Sequence, residues 1–128
     1  MAQVLLYNLP PEKLRRVRVA LTRLGLRGRT VTHAEYGHPI GFLAGLEGFE
    51  SAEEYTLDGF SSEMMVMCDL SAKQFSSLLD MLRASRAVVP LKAVVTETNA
   101  SWNSVELHDA LRNEHDTMQE YLAAKKKP

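Results

Sequence analysis

Residues 64–75 read MMVMCDLSAKQF. Met64 to Leu70 is a near-continuous apolar run of strand length, the pattern of a β-strand covered on both faces. Ser71 and Gln74 then form a capping box, and Leu70 and Phe75 occupy the positions of a hydrophobic staple, so a helix starts at once. Phe75, Leu78, Leu79 and Leu82 recur at helical spacing and give that helix an inward stripe. A strand buried on both faces and followed by an amphipathic helix is the first part of a strand-helix-strand unit, and the rest of the chain is read for its partners.

Upstream, Gln3 to Asn8 (QVLLYN) is a short apolar strand that stops before Pro10 and Pro11, a pair suited to opening a helix. Leu14, Val17, Leu21 and Leu24 mark its inner face, and Gly25 closes it in the left-handed region. Arg29 to His33 (RTVTH) is the second strand by its β-branched content. Between Gly37 and Gly48, Ile40, Leu43, Ala44 and Leu46 predict one or two helical turns, and Phe49 to Ser62 reads as an acidic surface loop. Downstream, Val88 to Thr96 (VVPLKAVVT) is the fourth strand. Asn103 and Glu106 cap a long last helix, with Trp102 and Leu107 as its staple and Leu107, Ala110, Leu111, Met118 and Leu122 along one side. No internal repeat or low-complexity stretch is visible.

Strand starts near 3, 29, 64 and 89 predict a small three-layer α/β domain. Its four-stranded, mainly parallel sheet runs in order 2-1-3-4 with helices on both faces. The interval between the second and third strands decides the matter: a true crossover helix there makes the sheet parallel throughout, whereas a decorated hairpin gives a ferredoxin-like α+β sheet. The whole of residues 1–124 fits one domain, followed by a basic tail at 125–128. The chain has 128 residues, 45% of them hydrophobic, enough for one core without disulfides or metals.

Composition removes several function classes. The longest apolar run falls far short of the roughly 20 residues that span a bilayer, so no membrane partner is expected. Met1 to Asn8 shows no basic region and no small-residue cleavage site, and a single cysteine, Cys68, forms no internal disulfide; a cytoplasmic protein is the expectation. The net charge of −1 hides a segregation. Residues 1–33 carry Lys13 and six arginines against Glu12, while residues 34–69 carry eight acids and no Lys or Arg. Arg15, Arg16, Arg18 and Arg23 are the nucleic-acid or phosphate candidates, although the segment lacks the aromatic residues that single-strand recognition uses. The same charges suit a homo-oligomer, acidic segment against basic, or simply two solvated faces.

The stretch Val89 to Trp102, VPLKAVVTETNASW, with the apolar strand and capped helix before it, resembles a bacterial family of uncharacterised proteins, domain of unknown function 3783. Lys92, Thr96, Asn99 and Trp102 carry the most specific spacing. Glu97 stands where a T-P-x-N pattern has proline. The similarity extends to the opening VLLYNL and the central YGHPIGFLAGLEG. The resemblance implies relatives and no activity.

In a parallel sheet, ligands bind beyond the carboxyl ends of the strands. That places Asn8, His33 with Glu35, Cys68 with Asp69, and Thr96, Thr98 and Asn99 at strand ends, with Asn8, Asp69 and Thr96 nearest a central crevice. Each has a structural use too: Asn8 as a turn residue before two prolines, Asp69 beside the next helix, Thr98 and Asn99 bonding loop backbone. Lys92, a charge within an apolar strand, either snorkels past an edge or pairs with a carboxylate such as Asp69. Trp102 either serves as the staple or stacks on a planar ligand. His33, Glu35 and His38 match no metal motif, and the H-x-E triplet His33–Glu35 lacks the P-C-x-x-C of zinc deaminases; no metal and no cofactor is expected. His108 and His115 stand two turns apart on the last helix, too far for one tetrahedral ion. No G-x-S-x-G elbow, phosphate loop or G-x-G-x-x-G is present, so an enzyme needs a site assembled from the strand-end residues. The expected role is a non-catalytic regulatory module that binds a small polar ligand or a protein partner through Lys92, Thr96, Asn99 and Trp102, supported by Asn8 and Asp69. The acidic loop from Glu47 to Glu63 is the element expected to move and to close over a ligand.

Overall fold

A computed structural model describes residues 2–125, with side chains to residue 114. Its strands are β1 (Gln3–Tyr7), β2 (Arg27–Thr30), β3 (Met64–Cys68) and β4 (Leu91–Val94), and its helices are α1 (Pro11–Arg23), α2 (Ile40–Leu43), α3 (Ala72–Ala84) and α4 (Ser104–Lys125). The sheet runs β2-β1-β3-β4, the expected order. The outer pairs β1–β2 and β3–β4 are parallel, and the central pair β1–β3 is antiparallel, with Gln3 opposite Cys68 and Tyr7 opposite Met64.

The mainly parallel sheet with helices on both faces is the one expected; the antiparallel centre departs only from the case in which a crossover helix makes every pair parallel, and the physical cause lies in the connection. The helix expected near residue 40 is a single turn, α2, too short to carry the chain back along the sheet. The chain therefore enters β3 at the edge where it left β1 and β2, and runs the other way. The ferredoxin-like alternative also fails, because β1 and β2 pair in parallel. Strand boundaries move as well: β2 starts at Arg27 and stops at Thr30, and His33–Glu35 is a 3-10 turn instead of the strand end. The tail expected at 125–128 lies outside the described residues beyond Lys125, as do the side chains of His115, Met118 and Leu122.

The sheet separates two cores. On one face Val4, Leu6, Met65 and Met67 meet α1 and α3 through Val17, Leu21, Leu78 and Leu82. On the other, Leu5, Tyr7, Met64 and Val66 meet Tyr36, Ile40, Leu43 and Leu107. All of β3 is buried, which explains its unbroken run of apolar residues. Tyr7 Oη and Ser104 Oγ share a buried hydrogen bond at 2.8 Å, so the polar tip of a core residue is satisfied by the first turn of α4. Burial drives the Tyr7 phenol pKa far up, and it stays protonated.

A structural repeat runs through the chain that its sequence does not display. A shift of 61 residues carries β1 onto β3, Asn8 onto Asp69, α1 onto α3 and Gly25 onto Arg86. Asn8, Asp69, Gly25 and Arg86 all have positive φ, at 59°, 63°, 69° and 55°. Leu5 pairs with its own equivalent, Val66, so an approximate two-fold axis passes through the centre of the sheet. The axis recurs where Pro39 bridges Asn103: Ile40 N–H donates to the Trp102 carbonyl at 2.7 Å and Ser104 N–H to the Tyr36 carbonyl at 3.1 Å. Few side chains match between the halves, but the inward positions Leu14, Val17 and Leu21 correspond to Phe75, Leu78 and Leu82. Packing preserves this pattern while identities diverge.

Both long crossover helices end in the same device. Leu26 N–H reaches the Leu21 carbonyl at 2.9 Å and Gly25 N–H the Thr22 carbonyl at 3.2 Å; Ala87 and Arg86 repeat this on Leu82 and Arg83 at 2.8 and 3.2 Å. The first end uses glycine, which tolerates the left-handed region, and the second forces an arginine into it. Arg86→Gly should therefore stabilise the protein by about 0.5–1 kcal/mol, seen as a higher urea midpoint at unchanged slope.

Candidate functional site

Three depressions lie at strand ends, and the two-fold relates two of them. The first, about 260 Å³, opens beyond the carboxyl ends of β1 and β2 and is lined by Leu6, Asn8, Thr30, Thr32, His33, Tyr36 and Phe60, among others. Its counterpart beyond β3 and β4, about 560 Å³, is lined by Met67, Asp69, Ser71, Phe75, Val94 and Val95. The equivalents of Thr30 and Val31 are Val94 and Val95, so the first cleft is the more polar of the pair. The third depression, about 320 Å³, lies against β4 between Lys92, Thr96, Thr98, Asn99, Trp102 and Leu111.

The first cleft is assembled by three segments. Asn8, left-handed at the end of β1, donates through Nδ2 to the carbonyls of Phe60 and Ser62, both at 3.0 Å, and so ties the acidic loop to the sheet. Its Oδ1 accepts from the Tyr36 hydroxyl at 3.4 Å. Tyr36 is buried and stacks on Phe60 with ring centroids 4.6 Å apart, and on His33 at 5.2 Å. Gly59 permits that approach, because a Cβ there would lie 2.8 Å from the Tyr36 ring. Arg18 Nη2 donates to Thr30 Oγ1 at 2.9 Å, so a guanidinium is bonded to one of the hydroxyls that line the cleft. His33 Nε2 meets the Leu57 carbonyl at 2.7 Å.

The acidic loop is anchored along its length. Ala52 N–H donates to His38 Nδ1 at 2.8 Å, Tyr55 N–H to the Ala34 carbonyl at 3.0 Å, and Phe60 stacks on His108 at 4.0 Å. Lys13 pairs with Glu63 and also donates to the Val88 carbonyl. His33 and His38 are thus engaged with loop backbone, and Glu35 is held by Arg29 and Thr32. Burial pushes the Glu35 carboxyl up, but the Thr32 amide, the Arg29 guanidinium and the Thr32 hydroxyl together outweigh it and leave the carboxyl below its usual range. Among the described residues no three His, Cys, Asp or Glu side chains form a metal-holding group.

Lys92, Thr96, Asn99 and Trp102 all line the third depression. Their polar groups are largely used within the loop. Asn99 accepts from Thr96 N–H at 2.8 Å through Oδ1 and donates to the Val94 carbonyl at 3.0 Å through Nδ2; its own N–H meets Thr96 Oγ1 at 3.1 Å. Lys92 Nζ donates to the Val89 carbonyl at 2.6 Å, and burial lowers its pKa. Trp102 packs with Leu107 into the second core, the staple position. Asp69 lines the neighbouring cleft, while Asn8 is at the opposite edge of the sheet. The single crevice expected to hold Asn8, Asp69 and Thr96 does not form, because β1 and β3 run in opposite directions. Cys68 is buried and its thiol pKa is raised, by burial first and by the Asp69 charge second. Arg15, Arg16, Arg18 and Arg23 are all exposed along α1. Sequence reasoning passed over Thr30 and Tyr36, since nothing local to either residue signals a cleft built from Asn8 and Phe60.

Among the described residues, no helix is long and apolar enough to cross a membrane. Residues 63–118 match the family model described as Domain of unknown function (DUF3783). The match begins at the residue before β3 and ends within α4, so it covers the second structural repeat and does not reach the opening VLLYNL or the central YGHPIGFLAGLEG. No curated protein and no solved structure matches the chain.

Two outcomes follow from these contacts. Asn99→Ala leaves Thr96 N–H and the Val94 carbonyl without their partner and should cost about 1–3 kcal/mol in a urea titration, whereas Thr98→Ala should change little. Because the Glu35 pKa is depressed on folding, its contribution is present above the ordinary carboxylate range and is lost as pH falls through the folded value. Glu35→Gln should therefore flatten the acid limb of a stability–pH profile.

Proposed function

We propose that this protein is a non-catalytic, cytoplasmic regulatory module that binds a small polar ligand in the cleft beyond β1 and β2. The carrying observation is that one cleft is lined by the Thr30 and Thr32 hydroxyls and the His33 ring, with Thr30 bonded to the Arg18 guanidinium. A parallel strand pair with its crossover helix offers a crevice at the carboxyl ends of its strands, and here the Thr30 and Thr32 hydroxyls offer donors to a polar or anionic group. The aromatic wall of Tyr36 and Phe60 supplies an apolar side for the body of the ligand. These groups recognise rather than react: Thr30 Oγ1 is bonded to Arg18, and His33 Nε2 to a backbone carbonyl, so the two are not disposed as nucleophile and base.

The acidic loop is the roof of this cleft through Phe60, and ligand binding is read as tightening contacts the loop already makes. The depression at β4 is the competing location, favoured by its gathering of Lys92, Thr96, Asn99 and Trp102.

A thermal-shift screen of the full chain against inorganic phosphate, mononucleotides and small dicarboxylates tests the reading. A ligand at 100 times its Kd contributes about 2.7 kcal/mol, which raises the midpoint by about 8 °C at this chain length. Thr30→Val and His33→Ala should abolish the shift, while Lys92→Met and Thr98→Ala should leave it intact. The reverse pattern moves the site to β4, and a flat screen removes the small-ligand reading.

A further inference from the structure

The two faces of the sheet carry opposite charge. α1, α3 and the turn after α3 bear Lys13, Arg15, Arg16, Arg18, Arg23, Lys73, Arg83 and Arg86 against Glu12 and Asp80. The acidic loop packs on the other face, through Tyr55 and Phe60. Where α1 and α3 lie side by side, they leave an open groove of about 390 Å³. It is lined by Val19, Ala20, Met81, Ala84 and Ser85, with Arg16 and Arg23 both on the α1 wall and Arg16 Nη1 reaching across to the Ser85 carbonyl at 3.4 Å. Val19 is 49% exposed, a β-branched residue facing solvent at the middle of a charged helix. Among the described residues Arg23 has no carboxylate partner, and the acid paired with Arg16 is Glu12 at 3.6 Å, itself mostly solvated.

We propose that this groove docks an acidic amphipathic helix of a partner protein. A groove between two antiparallel helices accepts a third helix as a ridge, and its apolar floor takes side chains spaced i, i+3, i+4 and i+7. Arg16 and Arg23, two turns apart on the α1 wall, select glutamates along one side of that stripe, adding specificity and a faster encounter. A nucleic acid fits less well, since the floor is aliphatic and no aromatic ring lines it for base stacking. A second copy of this chain fits less well too. Its acidic loop is irregular and tied to Asn8, His33 and His38, and its α4 places Leu107 and Leu111 in the second core. This surface lies on the opposite side of the sheet from the acidic loop and is independent of the ligand cleft.

Fluorescence anisotropy on the full chain tests the docking with three probes. These are a labelled peptide of about 20 residues with leucines at helical spacing flanked by glutamates, the same peptide with lysines for glutamates, and a mixed-sequence single-stranded oligonucleotide. The acidic peptide should bind saturably and the lysine peptide should not. Val19→Asn should weaken binding at least fivefold, and Arg16→Ala with Arg23→Ala at least tenfold, with the thermal midpoint unchanged for Val19→Asn and Arg23→Ala, both exposed, and lowered slightly for Arg16→Ala, which gives up its contacts to Glu12 and the Ser85 carbonyl. Backbone amide shifts on titration should map to α1 and α3. No saturable binding of the acidic peptide, binding indifferent to Val19→Asn, or tighter binding of the oligonucleotide overturns the proposal.

Discussion

The antiparallel pairing of β1 with β3 is the contact on which the rest of the molecule depends. Five consecutive residue pairs, Gln3–Cys68 to Tyr7–Met64, join two strand-helix-strand units that would each expose a bare strand edge alone. Every side chain of β3 and four of the five in β1 are buried, so this seam also carries the centre of both cores. Each fully buried Leu, Val or Met there contributes about 1.5–3 kcal/mol relative to exposure. Once the seam is set, α1 and α3 must lie side by side on one face. The turns at Tyr36 and Trp102 then meet across the other, closing a second point on the same axis through Pro39 and Asn103.

The direction of that seam also distributes the functional surfaces. Because β1 and β3 oppose, the carboxyl ends of the two parallel pairs open at opposite edges, giving two related clefts instead of one crevice. The halves have diverged in what they place there: Thr30, Thr32 and His33 in one, Val94 and Val95 in the other. The acidic loop belongs to the first half and roofs the first cleft through Phe60, whose ring lies between Tyr36 and His108. Its many acids stay solvated while a few apolar residues and backbone groups hold it down. Charge and attachment are thus supplied by different residues of one segment.

The strand-helix alternation, the capping boxes at Ser71 and Asn103, the glycine cap at Gly25, the buried third strand and the 2-1-3-4 order were all legible from the chain, because each rests on neighbours within a few residues or on patterning. Lys92, Thr96, Asn99 and Trp102 lie near one another for the same reason, since β4 and the turn directly after it carry all four. Strand direction was not legible, because it hinged on whether residues 40–43 carry the chain along the sheet, and a single turn differs from a crossover helix only in length. The repeat was invisible because the core constrains size and periodicity more than identity. The first cleft was invisible because Asn8, Thr30, Tyr36 and Phe60 come from four separate segments. What the sequence by itself determined is therefore the set of elements and their inward faces, which local sterics and hydrophobic spacing dictate. Only the tertiary structure decided which strand ends meet, since that depends on long-range pairing and the reach of the connecting chain.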